Sequence, residues 1–302
     1  MVTALVSDAH AVLDAVAGQD LQPDQADAVA LLGLVAGQDV ETGEGEGTWR
    51  IARRTSPDRI ISVHDPESRH VHKTLHAYRD GFKGHVAVEP GTGLVTACEL
   101  TAGNVGDAQA APGLLVDESD DIEVRGDSAY SAGAFRAELA ARGRVAVIKP
   151  PPLLRAVACG FTVDDFAIDL SAETVSCPAG LTVVAITRAR KAVFGARCRE
   201  CPMRDRCTTR LDARTLNIRP HYASLAAARQ QADTAKFQAV YRHDHPLVER
   251  TLSWLVRHGH RRVAYRGVDR NRLWWSHRAE AVNLRRLINL GLQRTETGWG
   301  VA

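Results

Sequence analysis

The sequence predicts an α/β protein: a mixed sheet flanked by helices, preceded by a helical segment and interrupted by a small β-rich stretch that carries cysteines. Three observations predict it. Residues 122–148 read as strand, carboxylate, helix and strand, the βαβ order of a parallel pair. Residues 81–100 hold two alternating apolar runs around Glu89-Pro90-Gly91-Thr92-Gly93, a hairpin signature. Apolar residues recur at helical spacing near both ends of the chain.

In chain order, Leu5, Val12, Leu13 and Val16 define one helix and Ala28, Leu31, Leu32 and Val35 a second. Pro23 between them suits a helix start. Residues 39–47 are acidic and glycine-rich and predict a flexible link. Residues 59–65 form a possible strand ending at Asp65, and a polar stretch, 66–80, leads into the hairpin. Residues 102–107 predict a loop and 108–115 a short helix before the strand that begins at Ile122. A helix over 136–142 is closed by Gly143, and Val145 to Ile148 form a buried strand. Beyond Pro150-Pro151-Pro152 the pattern changes: residues 161–186 alternate like small hairpins, and residues 212–218 are extended. Helices resume near Tyr222, with further ones over 226–241, 247–257 and 279–292. The expected divisions are 1–57, 58–150, 151–221 and 222–302.

The 302 residues are 45% hydrophobic and 25% charged, ordinary for a chain with a proper core. No run of about 18 apolar residues occurs, so no membrane span is expected. The start lacks the basic-then-apolar layout of a secretion signal, and a cytoplasmic protein is the expectation. The formal net charge is only +2, but arginines crowd after Glu249 with few acids to oppose them.

Three constellations bear chemistry. Asp127 in Gly126-Asp127-Ser128-Ala129-Tyr130 stands at the carboxyl end of a strand, where α/β sheets place their ligands. The same residue type also caps helices, so Asp127 is equally legible as an N-cap. Glu249 is expected in the first turn of a helix opened by Pro246, a position that acids favour in any case. Carboxylates converging from a strand end and a helix can share a hard cation such as Mg²⁺ or Mn²⁺, and two such ions clamp the oxygens of an in-line phosphoryl displacement.

The second constellation is Cys177-Pro178-Ala179-Gly180 with Cys198, Cys201 and Cys207 in a Cys-x-x-Cys-x5-Cys run. That spacing predicts a structural Zn²⁺ site, with buried cysteines or a redox pair as the alternatives. Cys98 and Cys159 read as core fillers. The third is the run from Arg257 through Arg261 and Arg262 to Arg266, which predicts contact with DNA phosphates and, alternatively, a solvated basic face. Trp254, Trp274 and Trp275 read as packing residues.

Taken together, several strings resemble the DDE insertion-sequence transposases. They are Asp65-Pro66-Glu67-Ser68-Arg69-His70 with Lys73, Gly81-Phe82-Lys83-Gly84-His85-Val86-Ala87-Val88, and Thr101-Ala102-Gly103-Asn104-Val105-Gly106-Asp107. Gly126-Asp127-Ser128-Ala129-Tyr130 and Val248-Glu249-Arg250 continue the match, which runs essentially from end to end. The resemblance implies a ribonuclease H-like core that cuts and rejoins double-stranded DNA. It also implies divalent metal held by two aspartates and a glutamate, and action as a homo-oligomer on DNA. Asp127 then takes the place of the second aspartate and Glu249 that of the glutamate. In similar proteins the first aspartate lies in an Asp-Ser-Thr or Asp-Gly-Thr string ahead of a helical stretch like residues 1–40. No such string occurs here, and Asp65 is the candidate for its place. The expectation is a chain lacking the family's N-terminal region, and the alternative to a working transposase is a DNA-binding remnant with an incomplete site. A zinc hydrolase ranks behind both, because four cysteines leave no open coordination position.

Overall fold

The two helices expected at the start form: α1 (Val2–Val16) and α2 (Pro23–Gly37), in a computed structural model that describes residues 1–74, 77–184, 190–296 and 298–301. Pro23 opens α2, and the Gln22 N–H donates to Gln25 Oε1 at 3.1 Å just ahead of it. The acidic, glycine-rich stretch is a hairpin and not a link, with β1 (Val40–Thr42) antiparallel to β2 (Trp49–Ile51). Thr48 makes it possible: its hydroxyl accepts from Gly45 N at 3.0 Å and donates to Gly45 O at 2.6 Å, closing the turn. Thr3 on α1 bonds both backbone groups of Trp49, at 3.0 and 3.1 Å.

The strand expected over residues 59–65 does not form. Its Ile60 backbone is bound by a side chain: the N–H donates to Gln38 Oε1 at 2.8 Å, and the carbonyl accepts from Gln38 Nε2 at 2.9 Å. A residue whose backbone groups are both taken by an amide has none left for a ladder. The polar stretch that follows is itself β structure, β3 (Arg69–Thr74) and the first part of β4 (Ala77–Val88); Leu75 and His76 within it lie outside the described residues. β4 pairs with β3 through Ala77–Gly81 and with β5 (Val95–Ala102) through Phe82–Val88, both antiparallel. The turn between β4 and β5 is tied by Glu89, whose carboxylate accepts from Gly91 N and Thr92 N, and by Gly93 at φ +73°. The short helix α3 (Asp107–Ala110) follows.

The next unit, residues 117–246, contains the predicted βαβ element. β6 (Glu123–Gly126) and β7 (Val145–Ile148) pair in parallel, Glu123 opposite Val145 and Gly126 opposite Ile148, around α4 (Gly133–Ala141). Arg136 of α4 is buried and donates to Ser131 Oγ at 3.2 Å and to the Ile148 carbonyl, locking helix to strand. Then come three short strands, β8 (Ala167–Asp169), β9 (Thr174–Ser176) and β10 (Thr182–Val184), in one antiparallel sheet. Ala185 and Ile186, the end of the alternating stretch, lie outside the described residues. β11 (Lys191–Val193) and, beyond α5 (Arg204–Cys207), β12 (Thr215–Asn217) form a further antiparallel pair. Phe166, Val175, Ala192, Phe194, Leu216 and Ile218 are the core of this small module. α6 (Tyr222–Ala232) packs on α4.

α7 (Ala235–Leu255) runs across the division at residue 246 as one continuous helix with Pro246 inside it. The remaining unit, residues 1–116 and 247–302, is completed by α8 (Val268–Asn289) and the hairpin of β13 (Leu292–Thr295) and β14 (Gly298–Val301). Its core is Val95, Leu100, Leu255, Trp275 and Ala279, where α8 lies on β5. Asn283 of α8 accepts from Val95 N at 2.8 Å and donates to Val95 O at 2.7 Å.

The mixed α/β class is therefore observed, with one correction. Among the described residues no large mixed sheet forms: the antiparallel β3–β4–β5 and the parallel β6–β7 are separate sheets. The segment that offered a further strand, 59–65, is engaged by Gln38 instead.

Candidate active site and nucleic-acid interface

Asp127 follows β6 directly and is part-exposed. Its Oδ1 accepts from Ala129 N at 2.9 Å and caps the single turn Ser128–Tyr130. Among the described residues Oδ2 meets no protein donor. The capping and the presenting readings thus hold together, since each uses a different oxygen. Arg125, two residues earlier, is held by Glu123 at 2.7 Å and by Asp244. Lys149 is a feature that sequence reasoning missed. It leaves β7 one step past the Gly126–Ile148 pair, donates its N–H to Gly126 O at 3.0 Å and lies over the Tyr241 ring at 5.4 Å. It therefore stands at the same carboxyl end as Asp127; its signal was its place immediately after a buried strand.

Glu249 is exposed on α7. It is not in a first helical turn: α7 starts at Ala235, fourteen residues earlier, and Pro246 is interior. Proline removes one i→i−4 bond from a helix interior without ending it when packing holds both sides. The helix dipole therefore gives no account of an acid at this position.

Asp65 sits in an irregular turn. Its Oδ1 accepts from Gly267 N at 3.1 Å, and Glu67 Oε2 accepts from Val268 N at 2.8 Å. Two carboxylates thereby hold the amino end of α8, the end where the helix dipole favours negative charge. Gly267 has φ +82°, and a Cβ there would lie 2.8 Å from Glu67 Oε2, so a glycine is needed for the approach.

Between α7 and α8 the chain carries Arg257, Arg261, Arg262 and Arg266, all exposed and none in an ion pair among the described residues. The loop is nevertheless ordered from beneath. Asn271 is fully buried, accepts from Tyr265 N at 3.0 Å and donates to Tyr265 O at 2.7 Å and Gly267 O at 2.8 Å. Nothing in the sequence marked Asn271, whose role depends on a neighbouring loop folding over it. The tryptophans divide: Trp275 is core, whereas Trp254 carries the Arg257 and Arg285 guanidinium groups at 5.0 and 4.0 Å from its ring centroid.

The four cysteines 177, 198, 201 and 207 line one cavity of about 270 Å³ with Phe161, Phe166 and Phe194. Burial pushes the Cys207 thiol up from its ordinary value, Arg214 opposes, and the neighbouring Cys198, Cys177 and Cys201 add to the rise. Among the described residues no group of three or more His, Cys, Asp or Glu is placed to hold a metal ion. Zinc at these thiols is therefore not supported by the described residues, although the four cysteines line one cavity.

A last polar cluster lies on the β4–β5 hairpin. His85 is buried, its Nε2 is 3.0 Å from Thr101 Oγ1, and its Nδ1 is 3.6 Å from Asp107, which also lies 3.6 Å from Lys83 Nζ. Burial lowers the imidazole's pKa, with Asp107 opposing, so the ring is held neutral as part of the hairpin's packing.

Residues 176–288 match the family model described as Transposase DDE domain. The match supports a DDE-type insertion-sequence transposase, the family that the motifs resemble. It includes Glu249, the arginine loop and the four cysteines, and covers a little over a third of the chain; Asp65 and Asp127 precede it. Comparisons with curated proteins and with solved structures gave no match. No helix among the described residues is long and apolar enough to cross a membrane.

Proposed function

We propose that this chain is a transposase that binds double-stranded DNA and cuts and rejoins it in a metal-dependent reaction. The observation that carries the reading is Asp127, presented at the carboxyl end of β6 with one carboxylate oxygen in use as a cap and the other without a protein donor among the described residues. The core would be ribonuclease H-like, a reading supported by the order of antiparallel strands β3–β5 followed by the parallel pair β6–β7.

Carboxylate oxygens are the donors that a hard divalent cation takes, so Asp127 fits it in chemistry, and by motif Glu249 would join it. When bound, Mg²⁺ or Mn²⁺ would polarise the phosphodiester and stabilise the attacking and leaving oxygens. Lys149, at the same strand end as Asp127, would hold a phosphate by charge. Arg257, Arg261, Arg262 and Arg266 would hold the DNA backbone without reading its sequence, in the way guanidinium groups usually position a duplex. Water, and then a DNA 3′-hydroxyl, would be the nucleophiles. Zinc at the cysteines stays outside this reading, since a four-thiolate site needs a ligand grouping that the described residues do not make.

A second reading, a DNA-binding chain with an incomplete carboxylate set, is favoured by one observation: Asp65 stands in an irregular turn at the amino end of α8 and not at the end of a strand. Asp65→Asn separates the two roles, because the amide oxygen still accepts from Gly267 while the charge is gone. We expect Asp65→Asn to nick supercoiled DNA at the wild-type rate with Mn²⁺, and Asp65→Ala to lose about 1 kcal/mol of stability, the usual value of a helix cap. Loss of nicking in Asp65→Asn would make Asp65 a metal ligand. A wild type that binds DNA without nicking it would favour the second reading.

Binding has its own readout. Replacing Arg261 and Arg262 by Ala is expected to make the slope of log K against log salt shallower by about 2, one unit for each phosphate that is no longer neutralised. An unchanged slope would place the DNA elsewhere.

A further inference from the structure

The proposed reaction makes no use of Cys177, Cys198, Cys201 and Cys207. All four are free and part-exposed, and they line one cavity of about 270 Å³. A space of that size admits a small solute, since a water molecule takes up roughly 30 Å³ of its liquid. The four thiols are not equivalent. Burial pushes the Cys207 thiol up, so it keeps its proton and attacks poorly. Cys177 is fixed in a turn of its own: its N–H donates to the Leu181 carbonyl and its carbonyl accepts from Gly180, both at 2.9 Å.

Cys198 and Cys201 share a turn. Cys198 ends the short helical turn Gly195–Cys198, and the Cys201 N–H donates back to the Cys198 carbonyl at 3.5 Å. A turn closed from residue i to i+3 holds its end Cα atoms within about 7 Å. A disulfide spans roughly 4.4–6.8 Å between Cα atoms, so the turn brings the pair into its reach. Both ends of the turn are tied to Arg204. Its guanidinium donates to the Cys198 carbonyl at 3.0 Å, and its backbone N–H donates to the Cys201 carbonyl at 3.1 Å. The same guanidinium reaches the Arg210 and Leu211 carbonyls at 2.6 and 2.9 Å, which fixes Arg204 in turn.

We propose that Cys198 and Cys201 are a dithiol that hydrogen peroxide oxidises reversibly to a disulfide. One sulfur attacks the peroxide, the O–O bond breaks, and a sulfenic acid and one water form. The other sulfur then displaces the sulfenic hydroxyl, the S–S bond forms, and a second water leaves. The two sulfurs give up two electrons, the peroxide takes them, and both thiol protons depart in the waters. A small reducing thiol reverses the step by exchange. The proposal is independent of the cleavage reading, because it is measured on the thiols without DNA.

The test uses the full chain with Cys159→Ser, which removes the exposed cysteine. It is treated with equimolar peroxide, with and without a chelator, then alkylated and digested with trypsin. Arg197, Arg199 and Arg204 place a cut before, between and after the two cysteines. We expect free thiols to fall from five to three, the six of the chain being reduced by Cys159. Residues 198–199 are expected to stay joined to residues 200–204, two hydrogens lighter than the separate peptides, until dithiothreitol parts them. Cys177→Ser is expected to leave that link unchanged and Cys201→Ser to abolish it, with circular dichroism melts to identify a variant that fails to fold. A link from Cys177 or Cys207 in its place would overturn the proposal. So would five thiols that survive peroxide, and so would thiols that react only with the chelator present, the mark of a bound metal.

Discussion

Asp127→Asn and Glu249→Gln are each expected to reduce Mn²⁺-dependent nicking by about a thousandfold, some 4 kcal/mol of transition-state stabilisation. The substitutions are isosteric, and in Asp127→Asn the side-chain oxygen still accepts from Ala129 N, so the turn after β6 persists. Only charge is lost, and charge is what a divalent cation needs from its ligand. The measurement is the initial rate of supercoil relaxation, with a melt of each variant to establish that the fold is intact. DNA affinity is expected to stay the same, because the arginine loop that carries it is untouched. Wild-type nicking in Asp127→Asn would remove the basis of the proposed function. Full loss in Asp127→Asn with none in Glu249→Gln would leave Asp127 as a reacting-site carboxylate and move the second one elsewhere.

Elements set by local chemistry were legible in the sequence. The β4–β5 hairpin follows from alternation around a Gly/Pro turn, and β6–α4–β7 from two apolar runs with a helix between them. What escaped depended on side chains that reach across the chain. Residues 59–65 have strand composition, yet the Gln38 amide occupies the Ile60 backbone, and no local pattern announces a partner 22 residues away. Asp65 reads as a strand-end carboxylate until Gly267, 202 residues on, is seen to donate to it. Pro246 reads as a helix start because proline favours the first turn, but α7 runs on through it from Ala235 to Leu255. The Cys-x-x-Cys spacing predicts metal on local grounds alone, while the placement of four thiols is a tertiary property.

The largest stability effect is expected at the contact between α8 and the sheet. Trp275 is buried against Gly84 of β4, and its indole N–H points to the His85 carbonyl at 3.4 Å. A Cβ at residue 84 would stand 2.6 Å from Trp275 Cζ2, so the glycine exists to let the ring lie on the strand. Trp275→Ala is expected to cost about 3–5 kcal/mol, the range for a buried aromatic whose cavity does not collapse. Gly84→Ala is expected to cost about 1–3 kcal/mol by overpacking a ring that shares its core with Val95, Leu100 and Leu255. The two substitutions share one volume, so their effects do not add. With the ring gone, the new methyl group enters the cavity left behind, and Gly84→Ala in the Trp275→Ala background is expected to cost less than in the wild type. Urea denaturation of the four members of this cycle measures the coupling directly. Strict additivity would mean that strand and ring do not touch.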